Sequence, residues 1–298
     1  MAIRSAHPAL LAALAAATTL AAELDHLALA LEQAGAHIAR QRLSFGQYLE
    51  KWRHQQQAVL KWHDPRLMHY PASVATTWQT SFAQLQPPAR ALLERLAWLA
   101  PDPIPESLLE TPIPDLATDE GDPTEALAEL EAYSLITRAA ERPEFSVHRL
   151  VQAVTRHDLQ GDGVPERLVE ALGWVAKAFA GDPNDERSWP VLDPLEPHAR
   201  AVAGFADEAG VTTPTSFLFS QTGLLLLERA RYAEAEPLLR RAQTIDEMLY
   251  GNQHPIVAIR LNNLAQLLKA TNRLDEAEDL MLRALAHAEA NGDEEGPT

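Results

Sequence analysis

The segment Thr222–Ala242 (TGLLLLERARYAEAEPLLRRA) and the segment Leu264–Ala284 (LAQLLKATNRLDEAEDLMLRA) are related copies that lie 42 residues apart. Nine of their 21 aligned positions are identical. Self-similarity at a fixed period of about 40 residues is the signature of stacked helical hairpins, in which each unit buries an apolar face against its neighbours. The two segments therefore predict an α-helical repeat region in this part of the chain.

Small residues recur at matching places in both copies. Gly223 and Ala265 fall in the first helix of their copies, and Ala235 and Ala277 fall in the second. Helices that approach closely leave no room for larger side chains at the contact. We therefore predict that these positions are buried where paired helices meet.

The first helix of the second copy has an apolar stripe and a polar face. The stripe comprises Leu261, Leu264, Ala265 and Leu268. The polar face comprises Asn262, Asn263, Gln266 and Lys269, which lie at helical spacing. Asparagine amides donate and accept hydrogen bonds with an extended peptide backbone. We predict that these four polar residues bind a protein or peptide partner; the alternative is a solvated helix face, which is the default for polar surface residues.

Three short motifs in the same region make the repeat type specific. They are Gly251–Pro255 (GNQHP), Arg260–Ala265 (RLNNLA) and Arg273–Glu278 (RLDEAE). In this order they resemble the tetratricopeptide repeats of the kinesin-light-chain type, and the likeness covers about residues 211 to 290. The resemblance implies a helical platform for protein binding. The residues that it implies as ligand-facing are Asn262, Asn263 and Gln266.

The N-terminal part is predicted to be helical as well. Residues 8–60 have helical apolar spacing with a break at Gln41–Ser44, and a further helix is predicted to end before Pro101. The proline-rich stretch Pro101–Pro123 predicts a loop around a short helix at Pro105–Glu110. Helices joined by loops are therefore expected throughout this part of the chain.

A short β-hairpin is predicted next. The expected order is a helix at Thr124–Tyr133, strands at Leu135–Arg138 and Phe145–His148 around a turn, and a helix at Arg149–Leu159. A β-hairpin that lies between helices in this way favours a small winged-helix unit.

Two prolines bear on the connection to the repeats. After a hinge at Gly161–Pro165, helices are predicted at Glu166–Phe179 and Leu192–Ala209. Pro194 and Pro197 are expected to confine the second of these helices mostly to its later part, because proline disrupts a helix interior.

Together these elements predict a mainly α fold of four segments. In order, they are a helical segment, a small winged-helix-like unit, connecting helices, and an α-helical, tetratricopeptide-like repeat solenoid with an acidic tail. Their predicted ranges are 1–72, 73–160, 166–210 and 211–298. The first two segments are expected to form a regulatory unit, and the others a platform for a partner.

The N-terminal half carries a second resemblance, in four dispersed motifs. They are Leu24–Ile38 (LDHLALALEQAGAHI), Phe45–Leu49 (FGQYL), Tyr70–Trp78 (YPASVATTW) and His148–Gln152 (HRLVQ). In this order they resemble the helical and winged-helix segments that follow the nucleotide-binding domain in NB-ARC-type signalling ATPases that bear tetratricopeptide repeats. The likeness covers roughly residues 20 to 200 and implies a regulatory role.

Two elements of that family are only partly kept. The Gly-Leu-Pro-Leu-Ala element, whose proline lies near the bound adenine, appears as His26–Ala30, with Ala28 in place of the proline. The Met-His-Asp element appears as Val147–Arg149 and keeps His148, which by resemblance would face the phosphates of a nucleotide. His148 is therefore the candidate cofactor contact, and the alternative is an ordinary hydrogen-bonded histidine.

Charge and composition bear on the partners and the compartment. Asp and Glu number 42 against 25 Lys and Arg, which gives a net charge of −17. This charge repels phosphate backbones and anionic lipid surfaces, so neither nucleic acid nor a membrane is expected as a partner. The lack of cysteine favours a reducing compartment, and we expect the cytoplasm. Arg4 and Ala9–Ala22 have the outline of a signal peptide, but the Ala/Leu pattern continues into Ile38, as one helical segment would.

The sequence lacks the motifs that carry catalysis in known enzyme classes. It contains no Gly-x-x-x-x-Gly-Lys-Ser/Thr loop to hold a triphosphate with magnesium, and no HExxH, Gly-x-Ser-x-Gly or GxGxxG motif. We expect no enzymatic activity, no cofactor and no metal. The predicted function is a protein-interaction scaffold; the alternative is a nucleotide (ADP)-sensing switch fragment that works with a separate P-loop domain. The oligomeric state is left open.

Overall fold

The fold is mainly α-helical. The computed structural model describes residues 8–24, 28–60, 82, 84–112, 122–159 and 163–292. Within these residues the chain forms twelve α-helices and a single three-stranded sheet of very short strands. The predicted fold class, mainly α with a C-terminal helical repeat region, is confirmed.

The described residues form two compact units. The first contains those within Met1–Ala97, Glu120–Arg138 and Ser146–Gln160, and the second contains those within Trp98–Asp119, Ala139–Phe145 and Gly161–Thr298. The helices of the first unit are α1 (Pro8–Glu23), α2 (Ala28–Gln41), α3 (Phe45–Leu60), α4 (Pro87–Leu96), α5 (Pro123–Ala132) and α6 (Arg149–Leu159). The strands within the described residues are β1 (Ile104–Pro105), β2 (Ile136–Arg138) and β3 (Glu144–Val147).

The predicted break between the second and third helices is confirmed, and it has a local cause. The backbone N–H of Gln47 donates to Ser44 Oγ at 3.2 Å, and the N–H of Ser44 donates to Gln47 Oε1 at 2.8 Å. This reciprocal pair satisfies two N–H groups that a new helix leaves without partners. The serine therefore starts α3 one residue later, at Phe45.

The core of the first unit joins α1, α2, α3 and α6. Its buried residues are Leu20, Leu24, Ala30, Ala34, Tyr48, Leu49, Trp52, Leu150 and Val154. The prediction of one continuous helical segment through to Ile38 is wrong, because α1 ends at Glu23 and α2 starts at Ala28. Leu24 follows the first helix and Ala30 lies in the second, and both side chains belong to this core cluster.

Helix α6 also closes the end of α4. The side chain of Gln152 is buried and donates from Nε2 to the carbonyl oxygen of Leu96 at 3.1 Å. Arg156 Nη1 donates to the carbonyl oxygen of Ala97, and burial lowers the pKa of Arg156 to about 10. These bonds satisfy carbonyl groups that the last turn of a helix leaves without intrahelical donors.

The sheet has the strand order β1-β3-β2. Strand β1 pairs antiparallel with β3, with Ile104 opposite Phe145. The predicted hairpin strands are confirmed within one residue, but β1 was expected to be loop. The predicted short helix is a 3-10 helix at Glu106–Glu110. The order helix, β-hairpin, helix is present in α5, β2, β3 and α6, while the winged-helix assignment stays a prediction.

The second unit is dominated by a run of six helices. They are α7 (Glu166–Ala178), α8 (Trp189–Glu208), α9 (Thr215–Glu228), α10 (Tyr232–Tyr250), α11 (Pro255–Ala270) and α12 (Leu274–Gly292). Each of these helices packs against the next in the chain, from α7 to α12. The two sequence copies are thereby seen as the hairpins α9–α10 and α11–α12.

The prediction that prolines restrict α8 to its later part is wrong. The helix begins at Trp189 and contains Pro194 and Pro197 in its interior. Each proline removes one backbone hydrogen bond, at a cost of about 3 kcal/mol. The stretch nevertheless buries Leu192 and Leu195 completely or nearly so, and this apolar burial favours the helical conformation over a loop.

The small residues of the repeat are buried as predicted. Ala235, Ala277 and Ala265 are each less than 5% exposed. A Cβ atom added at Gly223 would lie 2.7 Å from Cγ of Leu239, closer than real contacts allow. The glycine therefore permits the close approach of α9 and α10.

Candidate partner-binding groove

The structure separates the four polar residues that sequence analysis grouped as partner-binding. Asn262, Gln266 and Lys269 are exposed on α11. Asn263 is only 7% exposed, and its Nδ2 donates to Ser220 Oγ of α9 at 3.2 Å. The expectation that Asn263 lies on the exposed face is therefore wrong, because adjacent residues of a helix point about 100° apart. Asn263 faces the preceding hairpin.

A buried polar network surrounds Asn263 that sequence analysis missed. Arg260 donates from Nε to Asp246 Oδ2 at 2.6 Å and from Nη1 to Ser220 Oγ at 2.9 Å. Asp246 is fully buried, and Arg260 is nearly so. The sequence did indicate a buried charge here, because Arg260 aligns with the apolar residue Leu218 of the first copy. A charge at a position that is otherwise buried requires a buried counter-charge.

An open groove lies between α11 and α12, with a volume of about 800 Å³. We call it the end groove. Its polar lining residues include Asn262, Lys269 and Glu278. Five large apolar side chains in its lining are more than half exposed, namely Ile259, Leu274, Met281, Leu282 and Leu285. Gln266 is exposed on α11 but does not line the end groove. The structure thus brings together two of the four predicted residues with an apolar surface.

The corresponding surface of the first hairpin is covered. At the shift of 42 residues, Met281 aligns with Leu239 and Asn262 aligns with Ser220. Leu239 is 1% exposed and belongs to an apolar cluster that includes Leu268 of α11, whereas Met281 is 52% exposed. On the first hairpin, α9–α10, the equivalent surface is covered by the following helix, α11. The end groove is therefore the same surface of α11–α12 without such a covering helix among the described residues.

Ion pairs cross from one hairpin to the next on the second helices. Glu236 of α10 accepts from Arg273 Nη1 at 2.7 Å and from Arg240 Nη2 at 2.7 Å. Hydrogen bonds from Arg273 and Arg240 lower the pKa of Glu236. Arg273 also binds Glu276, three residues later, through Nε and Nη2 at 2.6 Å each. The carboxylate of Glu236 thus joins the two hairpins.

Helix α8 repeats this arrangement one step earlier. Glu196 accepts from Arg231 Nη1 at 3.1 Å and pairs with Arg200 at 3.5 Å. Arg231 binds Glu234 in turn, and hydrogen bonds from Arg231 and then Arg200 lower the pKa of Glu234 to about 2. The motif Glu-Pro-x-x-Arg occurs at Glu196 and again 40 residues later at Glu236. The shared motif shows that α8 and α10 occupy equivalent positions in the repeating unit. Sequence analysis missed this relation.

The structure describes the candidate nucleotide contacts only in part. His148 is partly buried and directly precedes α6. Ala28 is the first residue of α2, and the rest of the motif before it, at residues 26 and 27, lies outside the described residues. The motif at Tyr70–Trp78 also lies outside them. Across the part of the chain that the structure describes, no group of three His, Asp or Glu residues is placed to hold a metal ion.

Of the described helices, none combines the length and the apolar character that crossing a bilayer requires. Helix α1, the segment with the outline of a signal peptide, has 16 residues.

Comparison with known proteins supports both resemblances. A family model described as tetratricopeptide repeat matches residues 217–290, and a model described as a domain of unknown function (DUF7779) matches residues 80–164. A nucleotide-binding leucine-rich repeat (NLR)-like protein of Hyaloscypha variabilis is 27% identical over 253 residues, which is 80% of this chain and 25% of that protein. The chain thus spans a quarter of the length of this relative. No solved structure matches.

The C-terminal region is thus similar to tetratricopeptide repeats, and most of the chain is similar to a protein with an NLR-like name. The repeat match covers α9 to α12 within the structure, which is the region that forms the end groove. The match to residues 80–164 covers α4 to α6 and the hairpin strands.

Proposed function

We propose that this chain is a protein-interaction scaffold whose end groove binds a protein partner. The observation that carries the proposal is the contrast between Leu239 and Met281, which are equivalent in sequence but buried and exposed, respectively. Contiguous exposed apolar surfaces are rare on soluble monomeric proteins and mark binding sites. The partner covers this surface in the way that α11 covers the first hairpin.

The lining of the end groove supports a protein partner over other ligands. Its surface is mostly apolar, and Lys269 and Glu278 supply one charge of each sign. A groove along two helices fits a helical partner that inserts apolar side chains. Asn262 lies at the margin of the apolar surface, where its amide can bond to the partner. Gln266 and Lys269 extend the same polar margin along α11.

The N-terminal half is proposed to regulate this platform. The relative from Hyaloscypha variabilis carries an NLR-like name, and the family of the second resemblance is a signalling family. In this proposal residues 1–72 and 73–160 form the regulatory part, residues 166–210 connect it, and residues 211–298 form the platform. The scaffold works without catalysis in the reducing cytoplasm, and nucleic acid is not its partner.

The alternative function, an ADP-sensing switch that needs a separate P-loop domain, rests on His148 and on the order of the N-terminal motifs. Nothing in the geometry around the described part of those motifs favours it over the scaffold. Calorimetric titration of the chain with ADP separates the two: we expect no heat of binding, and micromolar affinity would support the switch.

Site-specific photo-crosslinking tests the scaffold proposal. A benzophenone amino acid placed at Leu282 would project into the end groove, and the same residue placed at Asp279 would project beside Arg240 and Arg283, outside the lining of the groove. Expressed in cells that make the natural protein, the Leu282 probe is expected to capture a protein that the Asp279 probe does not. Identical captures from both positions would contradict the proposal.

A further inference from the structure

Three glutamates occupy the same position on every second helix from α8 to α12. Glu196 lies on α8, Glu236 on α10 and Glu278 on α12. Their spacings are 40 and 42 residues, and the apolar positions around them also correspond. For example, Leu195, Ala235 and Ala277 precede the three glutamates, and all are buried. The three carboxylates are therefore equivalent positions of one repeating unit.

The first two glutamates each bind an arginine of the following hairpin. Glu196 accepts from Arg231, and Glu236 accepts from Arg273. Each arginine lies just before the second helix of its hairpin and also binds a glutamate three residues later. An Arg-x-x-Glu motif at the start of the second helix is therefore typical of a hairpin that packs on a preceding helix and pairs with its glutamate.

The third glutamate has no such arginine. Glu278 forms no ion pair within the described residues. Its own helix offers none either, because Leu282 stands four residues later, where the other two glutamates are followed by Arg200 and Arg240. Glu278 nevertheless lines the end groove among apolar side chains. A carboxylate at an apolar surface that is to be covered requires a cationic partner.

We propose that the end groove binds a further tetratricopeptide-type helical hairpin, whose Arg-x-x-Glu motif places its arginine on Glu278. This inference rests on the proposed function and specifies the chemistry of the partner. The apolar side chains of Met281 and Leu282 receive the first helix of that hairpin. The arginine then makes the contact that Arg231 and Arg273 make within the chain.

A second copy of this chain does not fit the requirement. Helix α8 carries Val191 at the place that corresponds to Arg231, the residue before α10. Arg231 and Arg273 themselves are already held by Glu196 and Glu236. A partner in extended conformation fits less well, since Asn263, one of the amides that it would need, is turned into the preceding hairpin.

Titration with a designed probe tests the proposal. The probe is a stable designed array of tetratricopeptide hairpins whose first hairpin has an open N-terminal face and carries Arg-x-x-Glu at the start of its second helix. Its binding to the full chain is measured by fluorescence anisotropy. We expect saturable binding, weakened about 5-fold when the probe arginine becomes glutamine, since one partly exposed ion pair is lost. Glu278→Gln in the chain is expected to weaken binding equally.

Combined changes give the decisive readout. Glu278→Gln together with the probe change is expected to weaken binding no further than either change alone, because both remove the same pair. Met281→Lys is expected to weaken binding about 30-fold or more, since a charge would enter the surface that is buried at the equivalent Leu239. Asp279→Asn is the matched control and is expected to have no effect, because Asp279 lies outside the end groove.

Three results would overturn the inference. They are the absence of binding at about 100 μM probe, an effect of Glu278→Gln that adds fully to the probe change, and equal binding by the Met281→Lys variant. If the probe fails while the crosslinking probe at Leu282 still captures a specific protein, the scaffold function stands and the arginine hairpin is wrong. If both fail, the end groove is not a binding site.

Discussion

The hairpins α9–α10 and α11–α12 have related sequences but opposite surroundings. In the first hairpin, Leu239 lies under α11 at 1% exposure; in the second, its counterpart Met281 is 52% exposed. Glu236 holds Arg273 of the next hairpin, whereas Glu278 holds no arginine among the described residues. The two copies therefore show one surface in its covered and its open form.

Burial in a repeat protein depends on the neighbouring hairpin as much as on the residue itself. Each hairpin has an apolar face that it cannot bury by itself, and stacking covers it. The sequence of the open hairpin reflects its position in part, because Arg240 and Gln243 of α10 correspond to Leu282 and Leu285 of α12. At these two positions the open surface of α12 is thus more apolar than the equivalent surface of α10.

The largest expected effect concerns the polar network that joins the two hairpins. Asp246→Ala is expected to lower the free energy of unfolding by about 3–5 kcal/mol, because the buried guanidinium of Arg260 would lose its counter-charge. Denaturant unfolding measures this loss. The open hairpin has no equivalent network to lose, since Ala288 stands at the position of Asp246.

Two further variants sharpen this first prediction. Glu247→Ala is the matched control on α10: Glu247 pairs with Arg283 near the surface, so we expect a loss below about 1 kcal/mol. Replacing both Asp246 and Arg260 with leucine should restore most of the stability, as Leu218 fills the position of Arg260 in the first copy. If Asp246→Ala lowered the free energy of unfolding as little as the control does, the pair of Arg260 and Asp246 would not stabilise the contact between the two hairpins.

A smaller effect distinguishes the covered from the open surface directly. Leu239→Ala is expected to lower the free energy of unfolding by about 3 kcal/mol, because it leaves a cavity beneath α11. Met281→Ala at the equivalent position is expected to change it by less than about 0.5 kcal/mol, since an exposed side chain loses little packing. Both values come from denaturant unfolding at several protein concentrations. Similar losses at the two positions would show that the end groove is covered in solution.

Much of the repeat region was predictable from the sequence because its signals are local and repeated. The helix-contact residues Ala235 and Ala277 were identified by a fixed shift, and tetratricopeptide repeats were recognised from motifs such as Arg273–Glu278. Both predictions are confirmed by burial and by the matching family model. The extent of α8 was missed, because Pro194 and Pro197 are strong local signals that apolar burial in the folded protein outweighs.

The candidate site was predicted only in part, for a geometric reason. A helical pattern places Asn262 and Asn263 on neighbouring faces, but it does not say which face meets the preceding hairpin. The structure shows that Asn263 meets Ser220, while Asn262 stays exposed. The apolar side chains of the end groove were missed because leucine and methionine at helical spacing indicate burial, and the pattern alone does not show which element covers them.

The smallest expected effect concerns the ion pair that joins the hairpins, and it depends on pH. Arg273 and Arg240 hold the pKa of Glu236 below its ordinary value of 4.5. A carboxyl group whose pKa is lowered by folding stabilises the folded state above its unfolded pKa, and the stabilisation is lost as the pH falls through the folded pKa. Glu236→Gln is therefore expected to lower the free energy of unfolding by about 1 kcal/mol at neutral pH.

Unfolding curves between pH 7 and about pH 2.5 test this dependence. The difference between the natural protein and Glu236→Gln should shrink below pH 4.5, as protonation of Glu236 removes the charge that the variant lacks. Glu278→Gln is the matched control on the open hairpin, and we expect a change below about 0.5 kcal/mol at neutral pH, because no ion pair with a described residue is lost. A difference for Glu236→Gln that stays constant down to the lowest pH would show that the loss comes from packing and that the carboxylate does not join the hairpins through its charge.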